Sequence, residues 1–248
     1  MQSLPLVTSS NRVVQVKLIE ENQAADWLKQ QDSFIQNFCQ ANNFKAKAGQ
    51  WLLLPEQESG KAAQLLATFH KDNFWQWGDW VHAWPAADYQ VDWGELDAYL
   101  PILAWCLGSY SYTEYLSVAP KMGPRLLCAE PLKATLESEA AAIFLVRDWI
   151  NQPAQDMHPE ALEIKLQDLA QSNNAEFSVI KGSKLQAEYP AIHAVGKAGE
   201  VAPRLLHLSW GDAKHPRLAL VGKGVCFDSG GLNLKPTAGM RWMKKDMA

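Results

Sequence analysis

Val14, Val16 and Leu18 alternate with Gln15 and Lys17 near the start of the chain, a period of two that predicts a strand with one face in a core. Over residues 32–42 the apolar positions Phe34, Ile35, Phe38 and Cys39 fall on one side of a helix, and Trp51, Leu52, Leu53 and Leu54 before Pro55 form the short apolar run of a buried strand. Residues 61–69 read as a further helix, 73–93 as an aromatic-rich connection, and 95–107 as another amphipathic helix. This alternation predicts an α/β domain closing near residue 120. Turn formers dominate residues 121–131, after which 135–150 is Ala-rich, with Leu136, Ala140, Ile143, Phe144 and Arg147 at helical spacing, and reads as a linker helix. Pro159 suits the first turn of a helix reaching about Gln171, with Asp156 and Glu160 as favourable charges at its start. Strands are expected over 177–180, 191–195, 204–210 and 218–222, the last two being the most hydrophobic and so the most central. The chain therefore divides into a small N-terminal α/β domain (1–120), a connection and linker helix (121–152) and a second α/β unit (153–248).

Composition narrows the function classes. With 48% hydrophobic and 20% charged residues, the 248-residue chain has the make-up of an ordinary globular protein. A net charge of -4 offers no general attraction to phosphate backbones or anionic lipid, so no nucleic-acid partner is expected. No run approaches the roughly 20 apolar residues of a membrane helix, and the opening Met1-Gln2-Ser3-Leu4-Pro5 lacks a basic region followed by an apolar core. A cytoplasmic location without a membrane partner is the expectation. Eleven tryptophans, among them Trp75, Trp77, Trp80 and Trp84, favour core packing over a ligand-binding wall. Cys39, Cys106, Cys128 and Cys226 have neither zinc-site spacing nor the density of a disulfide scaffold, and read as reduced thiols.

The chemistry concentrates after the 218–222 run, in Val221-Gly222-Lys223-Gly224-Val225-Cys226-Phe227-Asp228-Ser229-Gly230-Gly231-Leu232-Asn233-Leu234-Lys235. Ligands of open α/β sheets gather at the carboxyl ends of strands, and the glycines allow sharp turns beside Lys223 and Asp228. Phosphate binding fails on spacing: Gly224 follows Lys223 where a P-loop needs GxxxxGK with Ser or Thr, and Phe227 stands where a dinucleotide fingerprint needs its third glycine. A metal reading does better. Asp228 and Asp246 are hard oxygen ligands, and Lys223 supplies nitrogen if its surroundings keep the amine neutral. An ordinary Asp-Ser-Gly-Gly loop is the alternative that composition leaves open. His158 and His193 suit loop or capping roles better than metal binding, and the other histidines show no paired spacing.

This run resembles the signature of the leucyl, or cytosol, aminopeptidase family, which reads VGKG, then FDSGG, then a lysine. Met243-Lys244-Lys245-Asp246-Met247 is similar to the family's next motif, and Asp228, Lys235 and Asp246 follow Lys223 by 5, 12 and 23 residues, as in the family pattern. Arg147-Asp148-Trp149-Ile150-Asn151-Gln152-Pro153 looks like its RDLVN-x-P helix end, Ala194-Val195-Gly196 like its AVG strand, and Gly108-Ser109-Tyr110 matches as well. The resemblance covers about 130–248 closely and the earlier residues loosely.

The resemblance implies a small α/β domain joined by a helix to an α/β/α catalytic domain with a mixed central sheet. It further implies a metallo-exopeptidase releasing Leu and other residues from peptides with a free N-terminus, and a homo-oligomer, hexameric in the family. Carried over by position, Lys223, Asp228 and Asp246 match ligands of two divalent ions, zinc or manganese. Such a pair polarises the scissile carbonyl and activates a bridging water. Lys235 matches the catalytic lysine that stabilises the developing oxyanion. Met243 matches a residue lining the pocket for the first side chain, with a core methionine as the other reading. The sequence holds no segment like the family's NTDAEGR cluster, which supplies further carboxylates to the metals. The expectation is therefore a truncated catalytic domain, inactive alone. The alternative is a non-catalytic remnant or assembly partner keeping the aminopeptidase fold.

Overall fold

The computed structural model describes residues 3–56, 64–117, 123–228, 231–232 and 234–248. The alternation around Val16 lies in β2 (Val13–Glu20), at the heart of a six-stranded mixed sheet. Its order is β1 (Leu6–Val7), β6 (Arg125–Leu127), β5 (Asp88–Val91), β2, β4 (Gln64–Phe69) and β3 (Trp51–Leu54). Neighbours run parallel except for β3, which pairs antiparallel with β4. Successive side chains of a strand point to opposite faces. Leu65, Ala67 and Phe69 of β4 accordingly join one core with Val16, Tyr89 and Leu126, while Leu66 joins another with Ile19 and Leu54. The first core is covered by α3 (Gln76–Ala83), α4 (Tyr99–Gly108) and the Leu136, Ala140 and Phe144 positions of α5 (Glu130–Asn151). The second is covered by Ala24 of α1 (Ala24–Lys29), Cys39 of α2 (Ser33–Ala41) and Phe44. Asp32 caps α2 by accepting from the Ile35 amide at 2.8 Å.

Two expectations change here. The helix expected over 61–69 is strand β4; residues 61–63 lie outside the described set, as does the domain boundary at 120. A strand buried on both faces carries apolar residues without alternation, and its Ala and Leu then imitate a helical pattern. Pairing on both edges, with β2 and with β3, settles the matter. The stretch 73–93 is not merely a connection, since it contains α3 and β5. Trp77, Trp80 and Trp84 are buried, with ring centroids 4.9 Å apart for Trp77–Trp80 and 5.3 Å for Trp80–Trp84, whereas Trp75 is 60% exposed. The helices α3 and α4 meet at two glycines: a Cβ at position 108 would fall 2.3 Å from the Gly78 carbonyl oxygen. Arg125 of β6 grips Asp88 of β5 through two hydrogen bonds of 2.7 and 3.0 Å. The bonded guanidinium holds the Asp88 carboxyl below its ordinary range against the opposing effect of burial.

The chain divides within α5 into Met1–Leu145 and Val146–Ala248. In the second unit α6 (Pro159–Ser172) begins as expected with Pro159 in its first turn, and His158 caps it by accepting from the Ala161 amide at 3.2 Å. Strands β7 (Glu176–Lys181) and β8 (Arg204–Ser209) pair antiparallel, with Glu176 opposite Ser209 and Lys181 opposite Arg204. A nearly buried Arg204 side chain bonds Glu163 of α6, which also meets Lys181 at 3.3 Å, so one carboxylate ties three elements together. Burial pushes the Glu163 pKa up, but the bonds from Arg204 and Lys181 together outweigh it and leave the group below its ordinary value.

Between β7 and β8 run α7 (Gly182–Glu188) and α8 (Pro190–Gly196). Helix α8 replaces the strand expected over 191–195: Pro190 sets the first helical turn, and β-branched Ile192 and Val195 are too few to override it. The strand expected over 218–222 is also absent. Leu218, Leu220 and Val221 are 84%, 87% and 97% exposed, and β8 has only β7 beside it among the described residues. An apolar run becomes a strand only where a ladder partner takes up its backbone groups. The central position expected for β8 is likewise not seen, for Leu208 and the following Trp210 are exposed. Two short helical turns, α9 (Thr237–Met240) and a 3₁₀ segment (Arg241–Asp246), complete the described structure.

Candidate active site

Every residue singled out for chemistry lies in the second unit, within the 223–228 loop, at Lys235 and on the 3₁₀ turn. A 3₁₀ helix has three residues per turn, so side chains three apart stand above one another. Met243 and Asp246 therefore share one face of the turn. Lys223 reaches that face from the glycine-flanked loop and donates from Nζ to Asp246 Oδ2 at 2.9 Å. Lys235 approaches the other member, its Nζ 3.8 Å from Met243 Sδ. Four of the five predicted residues thus meet in two pairs on one turn.

The backbone holds this arrangement. The Val225 amide donates to the Asp246 carbonyl at 3.2 Å, joining loop to turn, and Met247 is buried behind it. A Cβ at Gly224 would come 3.2 Å from Leu162 Cδ2 and 3.8 Å from the Met247 oxygen, so the loop lies close against α6. Gly231 has φ +78°, the left-handed region that favours glycine, and its amide donates to the Asp228 carbonyl at 3.0 Å. Ser229, Gly230 and Asn233 of the motif lie outside the described residues. The Asp228 carboxylate is exposed and has no partner among the described residues.

Asp246 also accepts from Lys245 Nζ at 3.0 Å. The hydrogen bond from Lys223, then that from Lys245, holds its carboxyl below the usual range despite partial burial. Lys245 stands inside the motif that drew attention to Asp246, but only the path of the 3₁₀ turn shows which neighbouring lysine faces the carboxylate. Two ligands of one tetrahedral zinc ion, each about 2.0–2.2 Å from it, lie roughly 3.4 Å apart. The 2.9 Å between Lys223 Nζ and Asp246 Oδ2 is shorter than that separation and is the length of a charge-assisted hydrogen bond. By type, an amine and carboxylates are donors that suit a divalent cation. Among the described residues, however, no group of three His, Cys, Asp or Glu side chains converges on one point.

Two family descriptions match the chain: "M17 aminopeptidase, N-terminal domain" over 14–127 and "Cytosol aminopeptidase family, catalytic domain" over 144–248. The chain belongs to the cytosol aminopeptidase family. It is 34% identical over 161 residues to a probable cytosol aminopeptidase of Rhodococcus opacus (strain B4), a match covering 58% of this chain and 32% of that protein. The cytosol aminopeptidase of Coxiella burnetii superposes with a TM-score of 0.87 at 33% identity, over 98% of this chain and 54% of that one. The bottromycin maturation enzyme BotP, solved in complex with Mn, gives a TM-score of 0.72 at 27% identity, over 96% of this chain and 53% of that one. The chain therefore spans about half the length of the solved relatives it matches. Its α/β class is that of these relatives. Among the described residues no helix is long and apolar enough to cross a membrane.

Proposed function

We propose that this chain forms part of a metal-dependent aminopeptidase that releases N-terminal residues, Leu among them, from peptides. The supporting observation is the meeting of Lys223 with Asp246 and of Lys235 with Met243 on one 3₁₀ turn. In this reading Lys223, Asp228 and Asp246 hold divalent metal, zinc or the manganese that BotP binds, with two ions when the family's ligand set is complete. The metal supplies Lewis acidity toward a peptide carbonyl and a bound water. Lys235, whose Nζ lies beside the Met243 thioether, is the group that meets the developing oxyanion. Met243, partly exposed beside it, offers an apolar wall to the first side chain of the peptide. Residues 1–120 serve as the N-terminal domain, 121–152 as connection and linker helix, and 153–248 as the first part of the catalytic domain. The working form is a cytosolic homo-oligomer, a hexamer as in the family.

Calorimetric titration of the 248-residue chain with zinc or manganese tests the metal reading. Weak binding that falls markedly in Asp228→Ala and in Asp246→Ala supports it, whereas titrations indistinguishable from wild type remove the substituted residue as a ligand. A second reading, a non-catalytic assembly partner, draws support from the Lys223 and Lys245 ammonium groups that already compensate Asp246. It predicts no metal binding and no hydrolysis of a Leu-anilide by the chain, even after extension by the remaining carboxylate cluster.

A further inference from the structure

The turn carrying Asp246 is fastened at a point that the metal reading does not use. Lys244 and Lys245 are adjacent, yet their side chains diverge. Lys245 faces Asp246, while Lys244 donates from Nζ to the main-chain carbonyl of Gln152. Gln152 is buried and directly follows the last residue of α5, and its amide still bonds the Asp148 carbonyl at 3.1 Å. The last carbonyls of a helix have no donor within the helix, and an ammonium group there gains both the hydrogen bond and the favourable end of the dipole. The turn is also held by the Val225 amide on the Asp246 carbonyl, by the Lys223 hydrogen bond to the Asp246 carboxylate and by buried Met247. Lys244 thus adds a polar side-chain tie from the turn to the end of α5, without touching Lys223, Asp228 or Asp246.

We propose that Lys244 is a positioning residue: its hydrogen bond to the Gln152 carbonyl sets where the 241–246 turn sits, and hence how the Asp246 carboxylate meets Lys223. Its effect on metal affinity rests on the metal reading above; its effect on the turn does not. The test uses the 248-residue chain with Lys244→Met, which keeps the aliphatic stem and removes the donor, and Lys244→Arg, which keeps a donor. Amide hydrogen exchange at Val225 reports the seating of the turn. Losing a charge-assisted hydrogen bond should speed that exchange about tenfold in Lys244→Met and by less than about threefold in Lys244→Arg, with β7 and β8 amides unchanged. Unaltered exchange at Val225 in Lys244→Met overturns the proposal, as does an equal rise across β7 and β8, which would mark general loosening.

Zinc affinity, measured by competition with a chromophoric chelator, is the second readout, expected to fall about tenfold in Lys244→Met as for other supports of metal ligands. If Asp246→Ala weakens zinc binding and Lys244→Met does not, Lys244 does not position the carboxylate. If wild type and Asp246→Ala bind zinc alike, the metal reading has failed, and exchange at Val225 alone decides the role of Lys244.

Discussion

Replacing Gly108 by alanine should destabilise the N-terminal unit out of proportion to the one methyl group added. The new Cβ would lie 2.3, 2.5 and 2.7 Å from the O, Cα and C atoms of Gly78, where ordinary contact begins near 3.4 Å. The obstacles are main-chain atoms, so no rotamer change gives relief, and α3 must retreat by about 1 Å from a close-packed interface. That retreat would disturb buried Trp77, Trp80 and Val81 on α3 and stretch the 2.7 Å contact between His82 Nε2 and the Gly108 carbonyl. Overpacking usually costs 1–3 kcal/mol, and backbone against backbone places this case near 3 kcal/mol. Gly108 is the last residue of α4, so little of the roughly 1 kcal/mol helical advantage of alanine offsets it. Gly78→Ala is the internal control. Its Cβ meets the Ala104 oxygen at 3.1 Å, a conflict that a few tenths of an ångström relieves, and its place inside α3 gains the full propensity term. The two variants should therefore differ by about 2 kcal/mol or more. Urea unfolding followed by tryptophan fluorescence reads this well, because eight of the eleven tryptophans precede residue 146. A Gly108→Ala midpoint matching wild type, or equal losses in both variants, would refute the argument from helix contact.

Three further outcomes are expected. Asp88, depressed by Arg125, lends stability that is present above its unfolded pKa of about 3.9 and is lost as pH falls through the lower folded value. Asp88→Asn should therefore be less stable at pH 7, by on the order of 1 kcal/mol, and show a flatter acid limb in urea titrations; parallel acid limbs would dissociate the pair from stability. Replacing exposed Leu220 and Val221 by Gln and Thr should lower self-association in sedimentation velocity without shifting the urea midpoint, and unchanged association would absolve this stretch. In a chain completed with the remaining ligands, Lys235→Ala should cut kcat on a Leu-anilide by about 10²-fold to 10³-fold with a smaller effect on KM, and wild-type turnover would end the oxyanion role.

What the sequence made legible follows from what kind of signal each feature leaves. The intervals between Lys223, Asp228, Lys235 and Asp246 are covalent and survive any folding, so the motif could be read directly. Strands β2 and β7 and helices α2 and α6 were legible because one-sided burial or a first-turn residue writes a local pattern, and β3 because its short apolar run ends at Pro55. β4 was not, since burial on both faces erases the alternation, and neither was α8, where one proline outweighed an apolar run. The 218–222 run carries the composition of a central strand, but a strand is defined by its neighbours, which local composition cannot supply. That Met243 and Asp246 stand directly above one another depends on three residues per turn; a regular α-helical repeat would offset them by about 60°.

The tryptophan cluster has a consequence for light. Ring centroids stand 4.9 Å apart for Trp77–Trp93, 6.1 Å for Trp77–Trp84 and 5.2 Å for Trp84–Trp105, at interplanar angles of 36°, 62° and 58°. Indoles this close and this skewed share their electronic excitation, so the N-terminal unit should show a paired positive and negative circular dichroism band in the indole region. Sub-ångström slippage between α3 and α4 would change that band before any secondary structure melts, making the core an internal ruler that needs no attached dye.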